Sequence, residues 1–154
     1  MKTVYFRYVP LICALLLLSS CAMGPEFSGV PEAGKGKGNV VIYRLIQFVN
    51  STGYPHVYIN GEKRGDLKNG GYLIYQLPVG EQTIKLANMW NWENTQEWTA
   101  DVKEQGTRYY RVSIIVEDES VMVEEATEEQ ANEELKELKS STEYSSRPSN
   151  SLFA

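Results

Sequence analysis

Between residues 39 and 125 the chain breaks into short apolar runs separated by turn residues at intervals of about ten, a rhythm that suits strands and little else. Val40-Val41-Ile42-Tyr43-Arg44-Leu45-Ile46 is a β-branched run of strand length. His56-Val57-Tyr58-Ile59 runs into Asn60-Gly61, a pair that tolerates positive φ and so marks a hairpin. A short return segment ends at Leu67, and Asn69-Gly70-Gly71 turns the chain again. Residues 72–77 and 83–87 read as strands flanking Pro78-Val79-Gly80, where proline presets φ. Residues 96–102 alternate Trp98, Ala100 and Val102 with polar neighbours, and residues 107–116 follow the Glu104-Gln105-Gly106 turn. Val121-Met122-Val123 adds a last short strand. Strands so spaced predict an all-β fold, an antiparallel β-sandwich or an open barrel.

One helix closes the domain. Thr127-Glu128-Glu129-Gln130 fits a capping box, in which the Thr hydroxyl and the Gln amide serve first-turn amides. Ala131, Leu135 and Leu138 follow at i, i+4 and i+7, an apolar stripe that would pack on the sheet. Glu128 and Glu129 at one end and Lys136 and Lys139 at the other suit the helix dipole. The expected C-terminal amphipathic helix is therefore 127–139, and the serine-rich remainder, 140–154, is expected to be disordered.

Ahead of the strands stands an address rather than structure. Lys2 and Arg7 precede an apolar run over residues 9–18, interrupted only by Pro10. Ten residues make roughly 15 Å of helix, half of a hydrocarbon core, so a signal peptide fits better than a spanning helix. Leu18-Ser19-Ser20-Cys21 has the form of a lipobox, with a branched residue, two small ones and a cysteine whose thiol takes a diacylglyceryl group as a thioether. Cleavage between Ser20 and Cys21 would free an amine for further acylation. Two or three acyl chains anchor stably where one would be marginal. This segment resembles the signal of bacterial lipoproteins. By the sorting rule of enterobacteria, Ala22 after the cysteine implies release to the outer membrane.

Processing would leave 13 basic and 20 acidic residues, a net −7, on the chain that starts at Cys21. Nucleic acid is not an expected partner of so acidic a chain. Cys13 leaves with the signal and Cys21 becomes a thioether, so neither a disulfide nor cysteine catalysis is expected. The expected organisation is a signal peptide over 1–20, a lipidated cysteine and flexible tether over 21–38, a β-sandwich with its helix over 39–139, and the tail. Pro25, Gly29, Pro31, Gly34, Gly36 and Gly38 mark the tether. Seventeen such residues would reach roughly 20–25 Å.

From Tyr43-Arg44 through Phe48-Val49, Val57-Tyr58-Ile59-Asn60-Gly61, Gly65-x-Leu67-x-Asn69-Gly70-Gly71-Tyr72 and Leu77-Pro78-x-Gly80-x-x-Thr83-Ile84, the chain resembles a family of small bacterial lipoproteins that is a domain of unknown function. Its central hairpins are similar to the PEGA-type β-modules of bacterial surface proteins. The resemblance spans residues 39–138 and implies a β-sandwich on a lipid anchor. Its landmarks are turn glycines and strand residues, and it carries over no catalytic residue.

Trp90 and Trp92, in Asn88-Met89-Trp90-Asn91-Trp92-Glu93-Asn94, would share one side of an extended chain, with polar groups between them. Such a platform holds sugar rings by stacking. It also suits the open end of a sandwich, with Trp98 in the core, and this second reading weighs more. Arg64-Gly65-Asp66 spells an adhesion tripeptide that three residues reproduce easily by chance, and Asn50-Ser51-Thr52 is a glycosylation sequon. The single histidine, His56, is expected on an outward strand position without a nucleophile beside it. Tyr109, Tyr110 and Arg111 read as packing in a sheet with one wet face. Glu117, Asp118, Glu119, Glu124 and Glu125 read as a solvated acidic edge rather than a cation site. An envelope hydrolase using carboxylates such as Asp101 or Glu97 is a third class, since paired acids leave no local signature.

The sequence thus leads to a lipid-anchored, non-enzymatic accessory or interaction module of the cell envelope, facing the periplasm and needing no cofactor or metal. Its expected partners are the membrane, through acyl chains on Cys21, and an envelope protein or cell-wall glycan. The alternative function is a glycan-binding envelope lipoprotein using Trp90 and Trp92.

Overall fold

The computed structural model describes residues 24–49, 53–88, 95–115, 118 and 120–141. Its elements are β1 (Lys37–Arg44), β2 (Pro55–Ile59), β3 (Glu62–Asp66), β4 (Gly71–Pro78), β5 (Gly80–Asn88), β6 (Thr95–Val102), β7 (Thr107–Ile114), β8 (Val121–Ala126), α1 (Glu128–Leu135) and β9 (Lys139–Ser140). They form a five-stranded sheet, β8-β7-β1-β4-β9, facing a four-stranded sheet, β3-β2-β5-β6. The fold is the expected β-sandwich, and the sheets do not close into a barrel.

The turn residues act where expected. Asn60 and Gly61, at φ 51° and 82°, join β2 to β3. Pro78-Val79-Gly80 is a corner rather than a hairpin, because β4 and β5 belong to different sheets. Gly80 turns it at φ 114°, a backbone conformation that side chains resist. The chain moves from one sheet to the other at this corner, and also from β1 to β2, from β3 to β4 and from β6 to β7. One consequence departs from the antiparallel expectation. β7 returns beside β1 after passing through the other sheet, and the two pair in parallel, Asn39 with Thr107 through Arg44 with Val112.

Between the sheets lies the larger core. Val40, Ile42, Leu73, Tyr75, Leu77, Tyr110 and Val112 meet Val57, Ile59, Ile84, Leu86, Ala100 and Val102. A second core covers the other face of the five-stranded sheet, where Val41, Tyr43, Tyr72, Ile74 and Tyr109 pack under Ala131, Leu135 and Leu138. Tyr109 and Tyr110 are thus both buried, on opposite faces. The expectation of a wet face for this strand is corrected, since α1 and the N-terminal segment occupy that side.

That segment is the main departure from the sequence reading. The stretch expected to be a flexible tether is, from Gly24 on, built into the body. Gly24 N–H donates to Ser140 O (3.0 Å), Phe27 N–H to Leu138 O (3.2 Å), and Ser140 N–H to Pro25 O (2.8 Å). Phe27 stacks edge-on against Tyr72. Farther along, side-chain amides satisfy the backbone: Asn39 Nδ2 donates to Pro31 O, Gln76 Nε2 to Glu32 O, and Gln105 Nε2 to Ala33 O. Glycine and proline here shape a docked ribbon instead of a linker.

The helix is also shorter than its periodicity suggests. It ends at Leu135, with Lys136 as its C-cap, because residues 139–140 extend to pair with Gly71 and Tyr72 of β4. Lys139 therefore lies in β9 and leaves the helix end. Thr127 caps as expected, its hydroxyl accepting from Gln130 N–H (3.3 Å). The Gln130 amide turns to Glu134 rather than back to the cap. Ser140 and Ser141, expected to begin a disordered tail, are buried.

Candidate functional site

Strand alternation sends every second side chain of β2, β5 and β6 to the outer face of the four-stranded sheet. Register then lines up Tyr58 with Lys85 and Lys85 with Glu97 in one cross-strand row. These three, with Gly61, Thr83, Ala87 and Thr95, line a groove of about 350 Å3. A tyrosine ring, an ammonium and a carboxylate in a row offer one stacking face, one donor and one acceptor. This is the chemistry that holds a polar ring.

The groove ends where Ala87 pairs with Thr95, the last register position before the connection between β5 and β6. Trp90 and Trp92 belong to that connection and lie outside the described residues, as do Ser20 and Cys21 and the Asn50-Ser51-Thr52 sequon. Trp98 is half-buried and packs against the inter-sheet core, its ring 5.1 Å from Tyr110.

At the free edge of the same sheet, His56 Nδ1 lies 2.6 Å from Asp66 Oδ1 across the β2–β3 hairpin, and Lys63 Nζ lies 2.9 Å from the same oxygen. His56 takes the expected outward strand position, on the same face as Tyr58, but its side chain is only 14% exposed there. Burial raises the Asp66 pKa, but the hydrogen bonds from Lys63 and His56 outweigh it and hold the carboxyl below its ordinary range. Asp66 is therefore engaged, and the Arg64-Gly65-Asp66 tripeptide is a strand of a tight hairpin rather than a presented loop.

The five-stranded sheet carries its own polar cluster on the helix side. Tyr43 donates to Glu134 Oε2 (2.6 Å), and Arg111 bridges Glu134 (3.0 Å) and Glu124. On the opposite side of the strand, towards the other sheet, Arg108 pairs with Glu125. Glu124 and Glu125 of the expected acidic edge are thus neutralised by strand arginines, while Glu117 and Glu119 lie outside the described residues. Asp101, one of the two hydrolase candidates, pairs with Lys103. Among the described residues no group of three or more His, Cys, Asp or Glu could hold a metal ion.

A second hollow, about 330 Å3, opens between the docked ribbon and α1, lined by Val30–Ala33, Asn39, Gln105, Thr107, Tyr109, Glu128 and Asn132. Among the described residues the buried Asn39 Oδ1 accepts no hydrogen bond.

Two features escaped the sequence reading. The Tyr58-Lys85-Glu97 row exists only through cross-strand register, though the i, i+2 spacing of Thr83, Lys85 and Ala87 marks which face they share. Arg44 closes its strand wholly buried, its Nη1 donating to Gly53 O (2.6 Å) and its Nε to Gln47 Oε1 (3.3 Å). Burial draws its pKa down to about 10. Only knowledge that the following loop folds over it would have placed it inside.

Comparison with protein families finds a match over residues 34–126, more than half of the chain, to the model described as protein of unknown function (DUF2846). The match ends with β8, before α1. No curated protein matches the chain.

Proposed function

The chain belongs to the DUF2846 family, and on that premise we propose that it is a lipid-anchored, non-enzymatic accessory module of the bacterial cell envelope, outer-membrane bound and facing the periplasm. The observation that carries this reading is Leu18-Ser19-Ser20-Cys21, which meets the chemical needs of thioether lipidation and stands three residues before the chain joins the sandwich at Gly24. The anchor holds a rigid β-body at the bilayer, and the hairpin ends offer edges to a partner. Growth with radioactive palmitate tests it. The wild-type chain takes up label and Cys21→Ser takes up none and persists as the longer precursor; a labelled Cys21→Ser chain overturns the reading.

A second reading is glycan binding, favoured by the groove that ends at the base of the Trp90 and Trp92 connection. In it the indoles stack on one sugar while the Tyr58-Lys85-Glu97 row receives the next. The double variant Trp90→Ala, Trp92→Ala, if folded, then loses pull-down by purified cell-wall glycan. Unchanged pull-down removes this reading and leaves the first intact.

A further inference from the structure

Beyond β1 the chain inverts the usual order of a soluble loop. Ile46, Phe48 and Val49 are 66%, 98% and 56% exposed, while the polar residue among them, Gln47, is held inward. Gln47 N–H donates to Asn69 Oδ1, and Asn69 Nδ2 returns a bond to Gln47 O, both at 2.9 Å. The Gln47 side chain acts as a substitute strand residue beside β7, its Nε2 donating to Ile114 O (3.4 Å) and its Oε1 accepting from Ile114 N–H (3.3 Å). Arg44 also donates to that Oε1 from within the core. So many bonds to one residue fix the loop, and the apolar side chains on either side of it are held out in water by the fold itself. A loop free to collapse would bury Phe48.

The position of this loop supplies its occupant. Ile46 packs over Gly70, where an added Cβ would stand 2.7 Å from Ile46 Cγ1. Gly70 O accepts from Lys139 N–H, and Lys139 bridges to Glu26, two residues from Gly24. The loop and the point at which the chain joins the body thus share one corner of the sandwich. Two residues, Ala22 and Met23, separate Gly24 from Cys21, and the three steps between them span at most roughly 10 Å when fully extended. With Gly24 already docked, an acylated Cys21 keeps this corner of the body within roughly 10 Å of the bilayer surface.

We propose that the Ile46-Gln47-Phe48-Val49 loop is a second membrane contact, inserting Ile46, Phe48 and Val49 into the interfacial layer of the leaflet that holds the acyl chains of Cys21. It rests on the lipoprotein reading above and deepens it, because two attachment points fix the orientation of the module as well as its location. Lys139 at this corner bridges to Glu26 through the backbone, and the contact rests on the exposed apolar side chains rather than on charge.

The test uses the full lipidated chain reconstituted in vesicles of phosphatidylethanolamine and phosphatidylglycerol. Val49→Cys and, at the far end of β4, Val79→Cys are each labelled with an environment-sensitive fluorophore. Insertion gives a blue-shifted emission at position 49, quenching by nitroxide-bearing lipid, and several-fold lower access to aqueous iodide than at position 79. Adding Phe48→Ser to Val49→Cys should return position 49 towards water. An acylated chain whose position 49 is as open to iodide as position 79, or is shielded only when envelope protein is added, overturns the loop contact alone. A chain that takes up no palmitate overturns the anchoring reading and the loop contact with it.

Discussion

The two sheets of this molecule meet water differently. In the five-stranded sheet β1 is buried along seven consecutive residues from Gly38 to Arg44, because the second sheet covers one face and α1 with the docked ribbon covers the other. In the four-stranded sheet β2 alternates buried and half-buried positions, and β6 is mostly exposed on one side. A continuous apolar run and a strict alternation are the sequence traces of two-sided and one-sided burial. The difference divides the molecule: one sheet is covered on both faces, and the other keeps a face with Tyr58, Lys85 and Glu97 open to solvent.

The inter-sheet core should dominate stability. Leu73→Ala removes a fully buried side chain at the centre of that core and is expected to cost about 2–5 kcal/mol, read as a lowered urea midpoint. Leu135→Ala probes the outer layer. Its cost should sit at the low end of that range, about 2 kcal/mol, since a helix of eight residues can shift to narrow the gap. On the open face of the other sheet, Thr99→Ala should fall within about 0.5 kcal/mol. If Leu135→Ala were as mild as Thr99→Ala, α1 would not belong to the cooperative unit, and the contrast between the sheets would fail.

How far the sequence foretold this contrast depends on the range of the interaction concerned. Asn60-Gly61 placed its hairpin because two adjacent residues determine that turn. The parallel pairing of Val41 with Tyr109 left no local trace, since its partners stand 68 residues apart and each strand reads the same in either direction. The ribbon over 24–33 was missed for another reason. Its backbone is satisfied by the amides of Asn39, Gln76 and Gln105, and hydropathy patterns do not register such bonds. Lys136 and Lys139 suggested a longer helix, but the chance to add a strand beside β4 overrode that preference. Of the candidate site, Tyr58, Lys85 and Glu97 were visible singly and became a row only through register.

The helix-side cluster offers a finer probe of the outer layer. Tyr43 is fully buried and its hydroxyl meets the Glu134 carboxylate; burial, with the nearby carboxylate, pushes the phenol pKa well up, so the hydroxyl stays a donor at neutral pH. Tyr43→Phe keeps the ring and removes that bond. The expected cost is about 1–2 kcal/mol, the range for a bond to a charged group reduced by the partial exposure of Glu134. A cost near zero would show that the ring alone holds α1 to β1.

A small effect separates the sheets by acid. Burial raises the Glu134 pKa, but the Tyr43 hydroxyl, Gln130 and Arg111 together outweigh it, and the net shift is downward. Asp66 is lowered in the same way by Lys63 and His56. A carboxyl whose folded pKa lies below its unfolded value contributes stability that is complete above the unfolded value and is lost as pH falls through the folded one. The unfolded values are about 4.3 for Glu and about 3.9 for Asp, so both losses begin on acidification below about pH 5. Each is expected to stay under about 1 kcal/mol, since both groups are partly solvated. Between pH 7 and pH 3, stability measured in urea should fall less steeply in Glu134→Gln and in Asp66→Asn than in the wild type. Tyr43→Phe should flatten the same slope as Glu134→Gln and leave the Asp66 contribution in place, because the hydroxyl acts on one sheet's carboxyl and not the other's. Equal flattening of both would mean that the two sheets titrate as one network, which the separation of their polar clusters forbids.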